Sequence, residues 1–437
     1  MPNPTRRLLL VALLLARGFL SFASAANQRA GYQAALESIV AAEMGQTVDD
    51  LAGPKFQGRE AGSTGGHAAG DYLVEQLRKL PLQPAGDKKD YFQPFGKDYR
   101  NILALLPGSD TKEKDQIIVV GAHYDHLGHG RPHSGLPEGT IYPGADDNAS
   151  GSAGVLQLAR AFSLLPVAPK RSILFVLFDG EEKGLLGSRH WTLNPTLPLD
   201  RIKFMLNMDM IGNLRAERVL VFGTRTAAGL RRFTCDRNQE CGLTLDFSWL
   251  MKANADHYSF YSHGIPTLFL HTDLHERYHK PTDVPSTINR EGMMRVGRLA
   301  FSILDEMADG SMQPHFRSLA KSENDEGRKS MEASDPPQTL PGDPPLRLGI
   351  AWHDDEAEPG TLIVCHVARE SAAAKAGVSV GDRIYRIGGR DFADDAAFTQ
   401  FARTLPGPLE LLIERDGRYR TVVLKFADGA GRPKKAA

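Results

Sequence analysis

Five stretches of this chain are apolar on both alternating faces: QIIVVGAHYD, SILFVLFDGEE, KFMLNMDMIG, RVLVFGT and IPTLFLHTD. Strands without a polar face must be covered on both sides, and these alternate with helical segments between Asn101 and about Gly310. The expected architecture is therefore α/β, a central mixed and largely parallel sheet covered by helices. In such sheets, side chains from several strands converge beyond the carboxyl ends. Most of the five runs end there in acids or imidazoles, so the chemistry is sought at that end.

The flanking segments divide the chain into parts. Residues 1–26 start with Arg6 and Arg7, continue through an apolar stretch over 8–16 and reach Ala23-Ser24-Ala25, the pattern of a signal peptide. The apolar stretch is well short of the ~20 residues that span a bilayer, and Arg17 interrupts it. Export to a periplasm or to the medium is expected, with no membrane span in the mature chain. Residues 27–311 form the first domain, which opens with a helical signal over 32–44, the Gly-rich turn region FQGREAGSTGG and a second helix over 67–80. Residues 312–344 lose hydrophobic periodicity and read as a linker between two self-contained patterns. Residues 345–427 resume as a compact β-rich domain. A formal net charge of −1 gives no long-range field for nucleic acid or an anionic membrane. With three cysteines the chain is no disulfide scaffold. Cys235 and Cys241 are spaced either for a small-loop disulfide or for two buried thiols, and Cys365 reads as a buried strand residue.

Five polar clusters carry the chemistry. In GAHYDHLG, His123 and Asp125 lie two apart on an extended segment, so a carboxylate can orient an imidazole that ligates a metal. His126, His129 and His133 lack that pairing and read as loop residues. In GADDNASG, Asp146 and Asp147 suit either helix capping or a metal-bridging role. In FDGEEKGLLGS, Glu181 and Glu182 follow a buried strand, where two carboxylates are costly unless paired with cations or titrated. In NMDMIG, Asp209 is an isolated acid in an apolar run and needs a partner. HERYHKPTDV offers Tyr278, His279 and Asp283 in a loop. Imidazoles and carboxylates without thiolates form a ligand set suited to paired zinc or related divalent ions rather than a structural zinc site.

The ordered set HYD, GADDNASG, FDGEEKGLLGS, NMDMIG and YHKPTD closely resembles metallopeptidase family 28, the co-catalytic zinc aminopeptidases. The resemblance implies two zinc ions per chain. It places His123 and Asp209 on one ion, Glu182 and His279 on the other, and Asp147 between them. It also makes Glu181 the general base, Tyr278 a stabiliser of the tetrahedral oxyanion and Asp125 the carboxylate behind the ligands. Asp256, in ANADHYSFYSHGIP, matches an SDHxxF motif in which Ala255 replaces Ser. It is placed near the site without a ligand role.

The C-terminal region resembles a PDZ domain through RLGIAW, TLIVCHVARESAAAKAGVSVGDRIYRIGGRDF and ELLIERDGRYRTVVLKF. Leu348-Gly349-Ile350 would then receive a chain-terminal carboxylate beside an open strand edge, making peptides or protein C-termini the expected partners; the alternative is a domain that only packs on the core. Two further functions compete with an exported aminopeptidase acting on peptide substrates. A glutaminyl cyclase-like acyltransferase would carry an extra segment before Gly187-Ser188-Arg189, which EEKGLLGSRH lacks. A non-catalytic binding protein would be expected to have lost ligands.

Overall fold

The computed structural model describes residues 29–129, 136–332 and 347–426. Residues 1–26, expected to be a signal peptide, and His133 lie outside these, as do residues 333–344 of the expected linker.

The strands are β1 (Gln83–Pro84), β2 (Phe92–Phe95), β3 (Tyr99–Leu106), β4 (Ile117–His123), β5 (Ser172–Phe178), β6 (Ile202–Met208), β7 (Arg218–Phe222), β8 (Thr244–Ser248) and β9 (Thr267–His271) in the first domain. The second domain contributes β10 (Ile350–Asp354), β11 (Leu362–Val367), β12 (Arg383–Ile387), β13 (Leu409–Arg415) and β14 (Arg418–Leu424). The large sheet has the order β1-β3-β5-β4-β6-β9-β7-β8, with β2 added beside β3. At its centre β5, β4, β6 and β9 run parallel, whereas β3 and β7 enter antiparallel to their neighbours. The mixed, largely parallel sheet expected from the apolar runs is present. Every residue of β4 and β5 is buried, because the Gly151–Ser163 and Arg290–Asp309 helices lie against one face and the Leu186–Leu193 and His257–Ser262 helices sit toward the other.

The helical signal over 32–44 resolves into two helices. Residues 29–37 are helical, Val40 is extended, and the next helix is Ala41–Leu51. Side chains stabilise the break: Gln157 donates to the Ser38 carbonyl at 2.8 Å and Arg298 to the Ile39 carbonyl at 3.1 Å. Cys235 and Cys241 are free thiols, and Cys365 is buried in β11 as expected.

The linker reading of 312–344 needs correction for its first two thirds. Residues 313–332 form a strap on the catalytic domain: Arg317 N–H donates to the Thr226 carbonyl at 2.8 Å, Phe316 meets the Tyr261 ring edge-on, and Tyr261 Oη donates to the Ala320 carbonyl at 3.0 Å. A helix then spans Asp325–Glu332. The strap lacked hydrophobic periodicity because charge pairs and one aromatic hold it, rather than an apolar face.

The C-terminal domain is a five-stranded antiparallel sheet in the order β10-β11-β12-β13-β14 with its own core, including Ile350, Val364, Ile384, Phe398 and Leu411. It is docked firmly. Arg231 grips Glu414 at 2.9 and 3.1 Å, with both side chains buried, and its guanidinium lies 4.0 Å from the Phe247 ring centroid. Glu358 accepts from the backbone N–H groups of Arg231 and Arg232, at the start of the Leu230–Asn238 helix. Leu245 N–H, on β8, donates to the Asp416 carbonyl.

Removing one partner of a buried ion pair leaves an uncompensated charge. Arg231→Met should therefore cost about 3–5 kcal/mol in urea unfolding of the full chain, whereas Arg231→Met with Glu414→Leu should recover most of that loss. Equal destabilisation by the single and double variants would show that the pair is not what holds the domain.

Candidate active site

The carboxyl ends of β4, β5 and β6 lie side by side, so the residues that end these strands meet. His123 closes β4, Asp209 follows β6, and the turn after β5 carries Glu181 and Glu182. Asp147 comes from the 145–150 turn that leads into the Gly151–Ser163 helix. A Cβ at Gly151 would lie 2.4 Å from the Met208 carbonyl oxygen, so only glycine lets this helix start against β6.

Asp147 lies at the middle of the site. Its Oδ1 is 3.4 Å from His123 Nε2, and its Oδ2 is 3.0 Å from His279 Nε2. His123 Nε2 is also 3.5 Å from Asp209 Oδ1, an atom with no hydrogen-bond partner among the described residues. On the other side, Glu182 Oε2 is 3.2 Å from His279 Nε2. The candidate ligands thus form two groups that share Asp147.

A supporting layer fixes these groups. The Asp125 carboxylate accepts the backbone N–H of Glu181 at 3.1 Å and of Glu182 at 3.4 Å, aiming the glutamate pair. The expectation that this carboxylate orients His123 holds only loosely: it is 3.6 Å from Nδ1, which sits closer, at 3.1 Å, to the Asp125 carbonyl. Asp283 accepts the N–H groups of Asp146 and Asp147 at 3.0 and 3.1 Å. Asp146 points away from the ligands, binding Gly212 N–H, Ser150 Oγ and His275. Neither aspartate caps the helix, because Asn148 Oδ1 accepts the Gly151 N–H at 2.8 Å instead.

Two features of the site were not read from the sequence, and a third was read only as lying nearby. His126, taken for a loop residue, is buried, with Nδ1 2.8 Å from Glu182 Oε1 and 3.8 Å from Asp147 Oδ2. His126, Asp147 and Glu182 bring ligand atoms together as closely as His123, Asp147 and Asp209 do. His279, which contacts the inner oxygens of both carboxylates, competes with His126 for the same role. Gly144 is the signal that could have revealed His126: its φ is +57°, and a Cβ there would lie 2.5 Å from the His126 ring. Arg59, in the Gly-rich FQGRE segment, is the second. Fully buried, it donates to the carbonyls of Tyr124, Pro143 and Gly144, tying the two histidine–aspartate loops together. Burial lowers its pKa to about 10, and the fields of Asp147 and Asp283 resist that fall. Asp256, expected near the site without a ligand role, is fully buried behind it, where burial first and then Asp209 and Asp125 raise its carboxyl to about 7 against the opposing pull of His123 and Ser188.

The imidazoles respond to the crowd of acids. Burial opposes charge on His279, but hydrogen bonds to Asp147 and Glu182 outweigh it and lift its pKa to about 10. His123 is likewise held well above the ordinary imidazole value, with burial overcome by Asp209 and Glu181. Burial, with Asp209 and Asp256 adding to it, raises Glu181 well above the carboxylate range, against His123. Tyr278 stacks on the His279 ring at 3.8 Å, and burial with the field of Asp147 raises its hydroxyl. His129 is an exposed loop residue, as expected.

A cavity of about 440 Å³ opens onto these groups. Beyond the acids its wall has an apolar part, including Leu220, Phe222, Leu250 and Leu274, beside the polar Lys252, Asn254 and His271.

Residues 101–304 match peptidase family M28, and residues 338–414 match the PDZ domain. The chain carries a family M28 peptidase domain followed by a PDZ domain. A probable leucine aminopeptidase of Arthroderma otae is 25% identical over 269 residues, covering 58% of this chain and 69% of the relative. Aminopeptidase YwaD of Bacillus subtilis is 28% identical over 225 residues, which cover 49% of this chain and 46% of that relative. The chain also spans 26% of a probable zinc metalloprotease of Pyrenophora tritici-repentis, at 37% identity over 123 residues. Among solved structures, the LapA aminopeptidase of Legionella pneumophila superposes with a TM-score of 0.53 at 23% identity, over 64% of this chain and 75% of that one. A zinc aminopeptidase of Bacillus subtilis gives 0.51 at 17%, over 62% and 96%. These last two share the fold.

The M28 residues fit zinc on their own chemistry. Two converging sets of imidazole and carboxylate atoms, one containing an unpartnered buried carboxylate oxygen, form a donor set of the kind that zinc takes.

Imidazoles ligate metals only when neutral. Against the cost of burial, hydrogen bonds to Asp147 and Glu182 lift the His279 pKa to about 10, so a zinc ion taken up on this imidazole at pH 7.5 would displace its proton. Calorimetric zinc titration in buffers of different ionisation enthalpy should show net proton release at pH 7.5, and apparent affinity should rise with pH until that value is passed. Uptake without proton release would mean that the imidazoles are already neutral.

Proposed function

We propose that this chain is an exported aminopeptidase that removes amino-terminal residues from peptides with two zinc ions per molecule. The observation that carries the two-ion reading is the placement of Asp147, whose two oxygens face different imidazoles from opposite ligand sets. His123 and Asp209 would hold one ion, Glu182 and His279 the other, and Asp147 would serve both. His279 is preferred over His126 because its Nε2 lies 3.0 and 3.2 Å from Asp147 Oδ2 and Glu182 Oε2, whereas His126 Nδ1 is 3.8 Å from Asp147 Oδ2. His126 addresses the other oxygen of Glu182, Oε1, at 2.8 Å and orients it. Export rests on the character of residues 1–26.

Zinc in such a site supplies Lewis acidity toward the scissile carbonyl and toward water. The chain supplies the rest. Glu181 lines the cavity beside the ligands, where its carboxylate can take the proton of the attacking water and return it to the leaving amine. Asp125, through the two backbone amides it accepts, keeps Glu181 turned to the cavity and Glu182 turned to His279. Tyr278 Oη, its proton retained, can donate to the oxyanion as the carbonyl becomes tetrahedral. The excess of carboxylates favours a protonated amine, and the relatives named as aminopeptidases support exopeptidic cleavage. In the PDZ domain, β10 pairs only with β11 among the described residues, and Gly349 has a φ of +78°. An extended peptide could add at that edge, with its terminal carboxylate at Leu348-Gly349-Ile350.

The test compares free, acetylated and Gln-initiated peptides, read by mass spectrometry. Only unblocked peptides should lose their first residue, and cyclised product from Gln-initiated peptides would favour the acyltransferase instead. Glu181→Gln should keep near-normal zinc and lose about 10²–10⁴-fold in rate, the usual contribution of a positioned general base. Glu182→Gln should lose zinc along with rate and be partly rescued by added zinc. The reverse pattern would exchange the two roles.

A further inference from the structure

The wall of the cavity, apolar at Leu220, Phe222 and Leu250, has an irregular component. Leu220 and Phe222 belong to β7, but Leu250, Lys252 and Asn254 come from the segment after β8, which has neither helix nor strand until His257. Among the described residues, no backbone–backbone hydrogen bond holds residues 250–254. The segment is anchored at its start instead. Trp249 is buried, its N–H donates to Asp325 Oδ1 at 3.2 Å, and Leu250 N–H donates to Ser248 Oγ.

The Trp249 ring lies against the guanidinium of Arg225, 3.7 Å from centroid to Cζ. Both edges of that guanidinium are occupied. Nε and Nη2 donate to Glu323 of the strap at 2.7 Å each, and Nη1 donates to both oxygens of Asp355 at 2.8 Å. Asp355 directly follows β10 in the PDZ domain and is itself buried. A planar cation with its edges fixed by two carboxylates has one orientation left for its face, and Trp249 lies against it.

We propose that Arg225, clamped by Asp355 of the PDZ domain, is a positioning residue for the substrate cavity: it fixes Trp249 and thereby the 250–254 wall against which the side chain of the substrate's first residue packs. The PDZ domain is in this sense part of the substrate site, although none of its residues lines the cavity. The inference rests on the aminopeptidase reading above. It predicts that weakening the clamp loosens recognition of a large apolar first residue and leaves the zinc ligands and Glu181 untouched, because those are held from β4, β5 and β6.

The experiment uses the full-length zinc-loaded enzyme with leucyl and glycyl anilides, and determines KM and kcat separately. Asp355→Asn keeps the shape and removes the charge, Arg225→Lys keeps the charge and loses the fork, and Trp249→Phe keeps a ring but shrinks it. Each should raise KM for the leucyl substrate by about tenfold, the scale on which apolar pocket contacts discriminate, and kcat should stay within about twofold. KM for the glycyl substrate and zinc content should not change. Should one variant fail to fold by circular dichroism, the other two decide. An unchanged preference for leucine over glycine in the folded variants overturns the inference, as does an equal fall in kcat on both substrates. A wild-type enzyme inactive on both anilides overturns the aminopeptidase reading and this inference with it.

Discussion

Buried negative charge is the constraint on which the rest of this structure depends. Asp125, Asp147, Asp209 and Asp256 are buried around the ends of β4 and β6, with Glu181 and Glu182 at the end of β5. Carboxylates removed from water at such density repel one another and lose hydration, so each must be protonated, hydrogen-bonded or neutralised. The chain uses all three remedies. Backbone amides are spent on Asp125 and Asp283, burial raises Glu181 and Asp256, and Arg59 places a fully buried cation beneath the cluster. What remains is a deficit of positive charge that an added cation meets, which is why the site reads as a metal centre before any metal is considered.

The sheet was the most legible feature of the sequence, because strands buried on both faces leave a composition that little else produces. The five candidate ligand positions, His123, Asp147, Glu182, Asp209 and His279, came from the family resemblance, whereas the apolar runs alone signalled only that Glu181, Glu182 and Asp209 call for partners. The parts that escaped are those whose role depends on contacts far away in the chain. His126 follows Asp125 by one residue and looked incidental, and only the positive φ of Gly144 and the closeness of its backbone to the imidazole reveal that the ring has a place to go. Arg59 was part of a turn motif, and nothing local signals that its donors reach carbonyls 65 to 85 residues away.

The strap shows the opposite failure. Residues 313–332 have the composition of a flexible connection, and a hydrophobicity pattern cannot separate a charged segment in solvent from one laid across a complementary surface. The distinguishing contacts are guanidinium forks: Arg225 and Arg317 both bind Glu323. Their partners lie on the strap, on the loop after β7 and beyond β10, so the pattern exists only once all three segments are folded. The two domains, separable on paper, share one bonded surface.

How that surface is built decides how it behaves as the surroundings change. Ion pairs in contact with solvent weaken as added salt screens them over a Debye length of about 8 Å at physiological ionic strength, whereas buried pairs are screened much less. Arg231 with Glu414 and Arg225 with Asp355 are enclosed, each arginine covered further by an aromatic ring. The association of catalytic and PDZ domains should therefore be nearly indifferent to ionic strength.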